Sequence, residues 1–486
     1  HYSGRWRVRF CSRQLRLKKY MFVLISKCHY SKIHSLARWQ RPFTLICLRV
    51  FVVNTLCVLF FSFSVFATNC GSEKEICSDG RIPAVDKTNL QNPEKWRYIP
   101  EYRIPSGSWR NRFLETWFAT PFVFSEGDIG VGGGVAITDI DFRQQRRQEF
   151  AGIFLSYTSE GQQNYSIAWK RWVNQKEAEG MRGGVFQDER NYISLNSGYE
   201  RTLTRRFFGL GDNSKQEGET SYLDEVTWFG GEAQFSNLLL LDDVIIKVGA
   251  SAEHHDLGVG HVSTVPSMEE HYPILVNKAH SYTIGWTKFG LRWDTRDSLH
   301  NPYRGWHVGA QIDWAPIQTH GNQGGITSVK GGKVWSVPGI FHKNSNSREE
   351  NPPTDSLAIH AEVHSSFGDL PFWALPSLGG NLRLRGYTPN RFVDRASWLA
   401  ATEYRFWFLP RGLSITNDLR IERVGAAIFV EAGSVANSFS DLLDSKVQPS
   451  IGISIRIGLE RAAIFRFDFG RGKQDTNFTV RFGLAF

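Results

Sequence analysis

The sequence predicts an all-β fold, a transmembrane antiparallel β-barrel of about 16 strands, and three observations carry that prediction. Near the C-terminal end, Phe478, Val480, Phe482, Leu484 and Phe486 are apolar, whereas Thr479, Arg481, Gly483 and Ala485 between them are polar or small. That period of 2 belongs to a strand with one greasy face. The same alternation recurs upstream: Trp306, Val308, Ala310, Ile312 and Trp314 are interleaved with His307, Gly309, Gln311 and Asp313, and Ala463, Phe465, Phe467 and Phe469 with Arg466 and Asp468. Finally, beyond residue 67 no apolar run is long enough for a spanning helix, since the best one, Leu238 to Leu241, is cut by Asp242 and Asp243. If the body of the chain spans a membrane it must therefore be a closed barrel, the other structure that satisfies every backbone group in lipid. Aromatic residues at 14% and only 3 methionines suit the aromatic girdles of such a barrel.

Taken in order, residues 1–67 form a leader. They hold 12 lysines and arginines and no acidic residue, so the apparent net charge of +9 is confined to them, and the remainder carries 45 basic against 48 acidic residues. Nucleic-acid binding thus has no electrostatic basis in the body of the chain. Within the leader, Val50 to Ala67 is almost wholly apolar, follows Arg41 and Arg49, and ends in Val65-Phe66-Ala67, the small residues a signal peptidase reads. The expectation is a secretory signal cleaved after Ala67. An uncleaved anchor helix, an organelle transit peptide and a reading frame extended upstream of the true start are the alternatives. Four cysteines lie in the leader and only Cys70 and Cys77 beyond it, a usage that suits an oxidising compartment such as the periplasm; a disulfide between those two and a lipid anchor on Cys70 both stay open.

Residues 68–112 contain Pro83, Pro93, Pro100 and Pro105 and no helix-period face, and are expected to be an irregular periplasmic segment. The barrel is expected over 113–486. Strand centres fall near residues 120, 134, 152, 168, 195, 230, 249, 287, 309, 330, 361, 403, 428, 454, 466 and 482. That is an even number, as single-chain bacterial barrels require. The polar stretches 211–221, 253–272 and 340–355 read as long extracellular loops.

One loop is neither apolar nor merely solvated: Leu375 to Asn390 reads LPSLGGNLRLRGYTPN. Here the chain resembles the BamA/TamA family, the bacterial surface-antigen barrels that include two-partner secretion transporters. Those proteins carry a Val/Ile/Leu-Arg-Gly-Phe/Tyr tetrad before the twelfth strand, and this chain has Leu384, Arg385, Gly386 and Tyr387 with five strands counted after it. Further matches, in order, are Arg206 to Ser214, Gly290 to Trp306, Ala401 to Pro410 and Phe429 to Val435. The resemblance implies that the loop folds back into the lumen and that Arg385 pairs with Glu403 and Glu431, the latter standing where the family usually has the shorter Asp. A buried arginine does need charge-assisted, preferably bidentate partners. The segment Asp294 to Gly305 reads as a structural strand-turn-strand link. The last strand is similar to the sorting signal of bacterial outer-membrane proteins, and Phe478, Phe482 and Phe486 would be its recognised, lipid-facing residues.

What the resemblance implies for function is outer-membrane protein or lipid assembly or export, with a passive or substrate-specific pore or a structural surface barrel as alternatives. Implied partners are outer-membrane lipid, the assembly machinery that recognises the last strand, and a periplasmic partner protein. The implied location is the bacterial outer membrane, with an organelle outer envelope as the alternative. Family members that insert or secrete proteins carry periplasmic POTRA domains, and residues 68–112 are too few to make one. Enzyme signatures are missing: Gly130 to Val135 fails the dinucleotide fingerprint and sits in a strand pattern, and there is no GxSxG elbow or HExxH motif. Neither catalytic residues nor a cofactor is expected. His254, His255, His261 and His271 gather around one presumed loop and read as solvated residues rather than metal ligands.

Overall fold

The computed structural model describes residues 84–99, 118–126, 130–138, 149–178, 185–237, 241–342, 349–414, 420–460 and 463–486. The leader, its expected cleavage site, Cys70 and Cys77 lie outside the described residues. No described helix is long and apolar enough to cross a membrane, which says nothing of crossing by strands.

Among the described residues sixteen long strands follow one another: β1 Phe118–Glu126, β2 Gly130–Thr138, β3 Glu149–Thr158, β4 Gln163–Glu177, β5 Val185–Phe207, β6 Thr220–Ser236, β7 Val244–Val259 and β8 Ser281–Asp294. The second half is β9 Gly305–Gln318, β10 Gly324–Val337, β11 Asp355–Gly368, β12 Ala396–Leu409, β13 Arg423–Ala436, β14 Gln448–Glu460, β15 Ala463–Arg471 and β16 Thr476–Phe482. Every one contains the centre expected from the alternation. Each pairs antiparallel with its successor, from Val123 opposite Gly133 at the start to Phe469 opposite Phe478 at the end. Among the described residues no pairing joins β1 to β16. The ladder is nonetheless rolled up. Gln216, in the β5–β6 connection, donates to Asp475, in the β15–β16 connection, at 3.1 Å. A flat sheet would separate those connections by ten strand spacings, about 48 Å.

Period-2 sequence becomes two faces. On β9 Trp306, Val308, Ile312 and Trp314 are exposed to the outside of the barrel, and on β14 Ile451, Ile453 and Ile455 are. The intervening Ser450, Ser454 and Arg456 of β14 are buried inside. This is the reverse of a soluble protein: apolar side chains face out and charged ones are enclosed, which is stable only with lipid around the barrel.

Strand parity places the connections after odd-numbered strands at one end and those after even-numbered strands at the other. The end that carries the β11–β12 loop also carries the β5–β6 and β7–β8 connections, the latter with two short helical turns, Met268–His271 and Pro273–Ala279. The described residues of the stretch 340–355, which are 340–342 and 349–355, correct the sequence reading: they follow β10 and lie at the opposite end from 211–219. Polarity marks exposure to water; it does not tell which end is exposed. At that opposite end lies the described part of the segment before the barrel, residues 84–99. A short strand, Trp96–Ile99, pairs with Val185 to Asp188 of β5, and Trp96, Tyr98 and Phe186 pack together there.

The C-terminal strand is also shorter than its alternation suggests. It ends at Phe482, and Gly483 at φ +91° turns the chain away. Phe478 and Val480 are exposed on the outside, and the Phe482 side chain lies outside the described part. Phe486 is the correction: its ring stacks on lumen-facing His360 of β11 at 5.1 Å and its main-chain oxygen accepts from Arg405 at 2.8 Å. A strand period cannot be extended past a left-handed glycine. The histidine reading changes likewise, since β7 runs on to Val259 and so puts His254 and His255 on a strand with opposite facings. His255 bonds Asp224 at 2.9 Å and stacks on Trp373. No group able to hold a metal occurs among the described residues.

A candidate lumen lock around Arg385

The loop between β11 and β12 runs from Asp369 to Arg395 and carries the tetrad to the inner wall. Leu384 adopts φ +46°, and Tyr387 donates its main-chain N–H to the Leu384 carbonyl at 3.0 Å, closing a tight turn that presents Arg385 and Gly386 at its tip. Leu384, Arg385 and Tyr387 are all fully buried.

Arg385 reaches Glu431 of β13 twice, through its main-chain N–H at 2.6 Å and Nε at 2.8 Å, and Glu403 of β12 through Nη1 at 3.0 Å. The extra methylene of Glu431, relative to Asp, lets one carboxylate take both the backbone and the side chain. The guanidinium also lies over the Phe429 ring, 3.5 Å from its centroid. The structure places Arg385 of the loop against Glu403 and Glu431 of two neighbouring strands.

Gly386 needs its missing side chain. An added Cβ would fall 2.3 Å from the Arg471 carbonyl carbon, so the tip backbone lies directly on the β15–β16 turn. Gly386 N–H donates to Ser450 Oγ at 2.9 Å, and Gly472 N–H donates to the Gly386 carbonyl at 3.1 Å. Gly470 and Gly472 are the matching platform: side chains there would collide with Arg385 and with the Tyr387 ring. Asn477 of β16 donates to the carbonyls of Arg385 and Tyr387.

The sequence did not single out the rest of the cluster. Glu403 is shared among Arg385, Arg405 at 2.7 Å and Arg456, while Arg466 contacts Asp468 at 2.7 Å and Asp468 lies 3.7 Å from Arg385. Four arginines therefore meet three carboxylates, all of them buried. The available signal was the polar half of each alternating strand: Glu403 and Arg405 on β12, Arg456 on β14, and Arg466 and Asp468 on β15. Further along the loop, Arg391 donates to Ser214 Oγ at 2.9 Å and to Gln474 at 3.0 Å, which fastens the loop to two other connections.

Comparison with known proteins places this geometry. The family model of the Omp85 superfamily domain matches residues 155–486, which span β4 to β16, the inserted loop and the Arg385 cluster. The chain belongs to the Omp85 superfamily. Omp85 proteins are outer-membrane β-barrels of the BamA type, in line with the resemblance carried by Leu384 to Tyr387, and this chain is an outer-membrane barrel of that superfamily. No curated protein matches the sequence. Among solved structures the chain is similar to BamA from Haemophilus ducreyi lacking POTRA domains 1–3, at 15% identity and TM-score 0.44, over 76% of this chain and 69% of that one. It is also similar to CdiB from Acinetobacter baumannii, at 11% identity and TM-score 0.38, over 76% of this chain and 59% of that one. A third similarity is to a bacterial polysaccharide outer membrane secretin, at 9% identity and TM-score 0.33, over 76% and 94% of the two chains.

Proposed function

We propose that this Omp85 barrel acts in the assembly or export of outer-membrane proteins or lipids, and not as an open pore. The observation that carries the reading is the fully buried Arg385, which ties the β11–β12 loop to β12 and β13 inside the lumen. A loop anchored inside the lumen by a buried ion cluster takes up room that a wide, open passage needs. Breaking such a cluster is costly, and the anchored loop instead holds β12 to β16 in one fixed relation. Outer-membrane lipid surrounds the apolar outer face in this reading. The machinery that inserts the barrel reads Phe478 and Phe482 on the last strand, and a periplasmic protein supplies clients at the end where Trp96–Ile99 docks.

The test is client folding. The full chain is reconstituted in lipid vesicles, an unfolded outer-membrane barrel is added, and its folding rate is followed alongside single-channel recording. Wild type should accelerate client folding and stay mostly closed, and Arg385→Ala should lose the acceleration. An unchanged client rate combined with a steady, large conductance of the wild type would replace this reading by a pore.

A further inference from the structure

Away from the lock, toward the opposite end of the barrel, the inner wall of β4 to β10 lines a partly open cavity of about 340 Å³. Its lining contains Lys170, Lys247, Arg292 and Lys330, one each from β4, β7, β8 and β10, together with Arg296 of the β8–β9 connection, and no aspartate or glutamate. Carboxylates stand behind this lining: Glu232 on Lys247 at 2.7 Å, Asp294 on Arg292 at 3.1 Å and on Arg296 at 2.8 Å, and Glu362 on Lys330 at 3.2 Å. Glu362 is shared with Arg383 as well. Five cations against three carboxylates leave two positive charges in excess. The next level of the wall adds nothing to that excess, because Lys288 stands opposite Asp313 in the β8–β9 register.

Lys170 is the source of much of this surplus. Its ammonium lies 3.5 Å from the centroid of the Tyr192 ring and 5.4 Å from that of Trp172, and among the described residues no carboxylate lies in ion-pair contact with it, Glu189 and Glu232 acting on it from longer range. Among the described residues the buried Nδ1 of His307 likewise has no hydrogen-bond partner.

The space is built in by glycine. Across the wall, Lys247 stands opposite Gly290 and Gly290 opposite Gln311, while Arg292 stands opposite Gly309 and Gly309 opposite Lys330. Two side chains are thus missing between the cations. At Gly290 the omission is not forced by crowding, since an added Cβ would find its nearest neighbours at 3.6 Å.

A concave, low-dielectric wall focuses the field of such charges, and a cavity of this size is that of a small-ligand site. Lysine ammonium and arginine guanidinium groups converging from several directions suit the several oxygens of one phosphoryl group, and the twofold excess suits its charge. We propose that this lumen cavity binds a phosphoryl group, carried either by inorganic phosphate or by a lipid headgroup. The proposal does not rest on the assembly reading above.

The full chain, refolded in detergent, is titrated calorimetrically at constant ionic strength with inorganic phosphate and with dihexanoyl phosphatidic acid. Saturable 1:1 binding is expected. Lys170→Gln should weaken it at least tenfold, roughly 1.4 kcal/mol, without stranding a carboxylate. Lys170→Arg should restore most of it, and Gly290→Val should abolish it by filling the space while keeping every charge. Heat-modifiable gel mobility certifies each variant as folded; if Gly290→Val does not fold, the Lys170→Gln and Lys170→Arg pair decides alone. Binding of phosphate itself assigns the site to a free phosphoryl group, and binding of phosphatidic acid alone assigns it to a lipid headgroup. No saturable binding of either, or wild-type affinity in folded Lys170→Gln, overturns the proposal.

Discussion

Arg385 draws all its polar side-chain contacts from strands other than its own loop, so its removal tests long-range packing rather than local structure. Arg385→Ala leaves the buried Glu431 with only the main-chain N–H at that position and takes the guanidinium from Glu403; it should destabilise the barrel by about 3–5 kcal/mol, read from the denaturant midpoint of vesicle-inserted protein. Glu431→Gln should resemble it, and the double variant should add little to either single one, because both remove one contact. Glu403→Gln should be worse than Glu431→Gln, since Glu403 balances Arg385, Arg405 and Arg456 together. Equal effects of the two glutamine variants would mean that Arg405 and Arg456 gain nothing from Glu403. The tetrad and its two glutamates were legible because a four-residue pattern has a fixed place in the strand order. Arg405, Arg456, Arg466 and Asp468 were not, because each occupies an ordinary inward position of an alternating strand, and only the fold brings four strands to one level. Glu362, His364 and Arg383 form a similar group that the sequence leaves scattered.

For single elements, the lipid-facing claim is sharpest on β16. Val480 is 55% exposed on the outer face, and Val480→Arg should cost up to about 2–4 kcal/mol if it sits near the bilayer midplane. Arg481, whose Nη1 donates to Asn381 Oδ1 at 2.6 Å, should be far less sensitive: Arg481→Ala loses one hydrogen bond, about 0.5–1.5 kcal/mol. Folding yields in vesicles that rank the two variants the other way would reverse the facing of the strand. Element existence was readable throughout, since sixteen alternations gave sixteen strands, but element ends were not. The sequence reading continued β16 to Phe486 because Leu484 and Phe486 keep the period, while the backbone turns at Gly483. It also stopped β7 early and read His254 and His255 as loop, because a strand that rises above the membrane loses its apolar half and looks like a solvated connection. The 23 residues of β5 overrun the bilayer in the same way.

Across the whole molecule, the described barrel is fastened at both ends. At the loop end, Arg391 to Ser214 and Gln474, Lys446 to Asp212, and the packing of Phe207, Met268, Val276 and Phe372 join five connections into a crown above the Arg385 lock. At the other end, Asn92 bonds Asp242 at 2.9 Å, Lys95 pairs with Asp243 and Lys87 with Glu350, so the segment before β1 lies across the connections after β6 and β10. This closure was invisible in the sequence, where 68–112 reads only as proline-rich and irregular, because its ion pairs and hydrogen bonds to Asp242, Asp243 and Glu350 join residues more than a hundred positions apart. The phosphoryl cavity lies between the two closures and shares Arg296 and Leu299 with the space beneath the N-terminal segment. Two barriers in series limit current by the narrower one, so opening either alone should change little. In single-channel recording, deletion of 376–390 should leave conductance small while Lys87 and Lys95 still hold their segment. Lys87→Glu with Lys95→Glu, which sets like charges against Glu350 and Asp243, should also have little effect on its own while the loop stays locked. Combined, the changes should raise conductance far more than the sum of the two, and protease should then cut within 84–99. If the deletion alone already reaches the combined value, the N-terminal segment is no barrier, and its ion pairs serve to anchor the chain beside β5 instead.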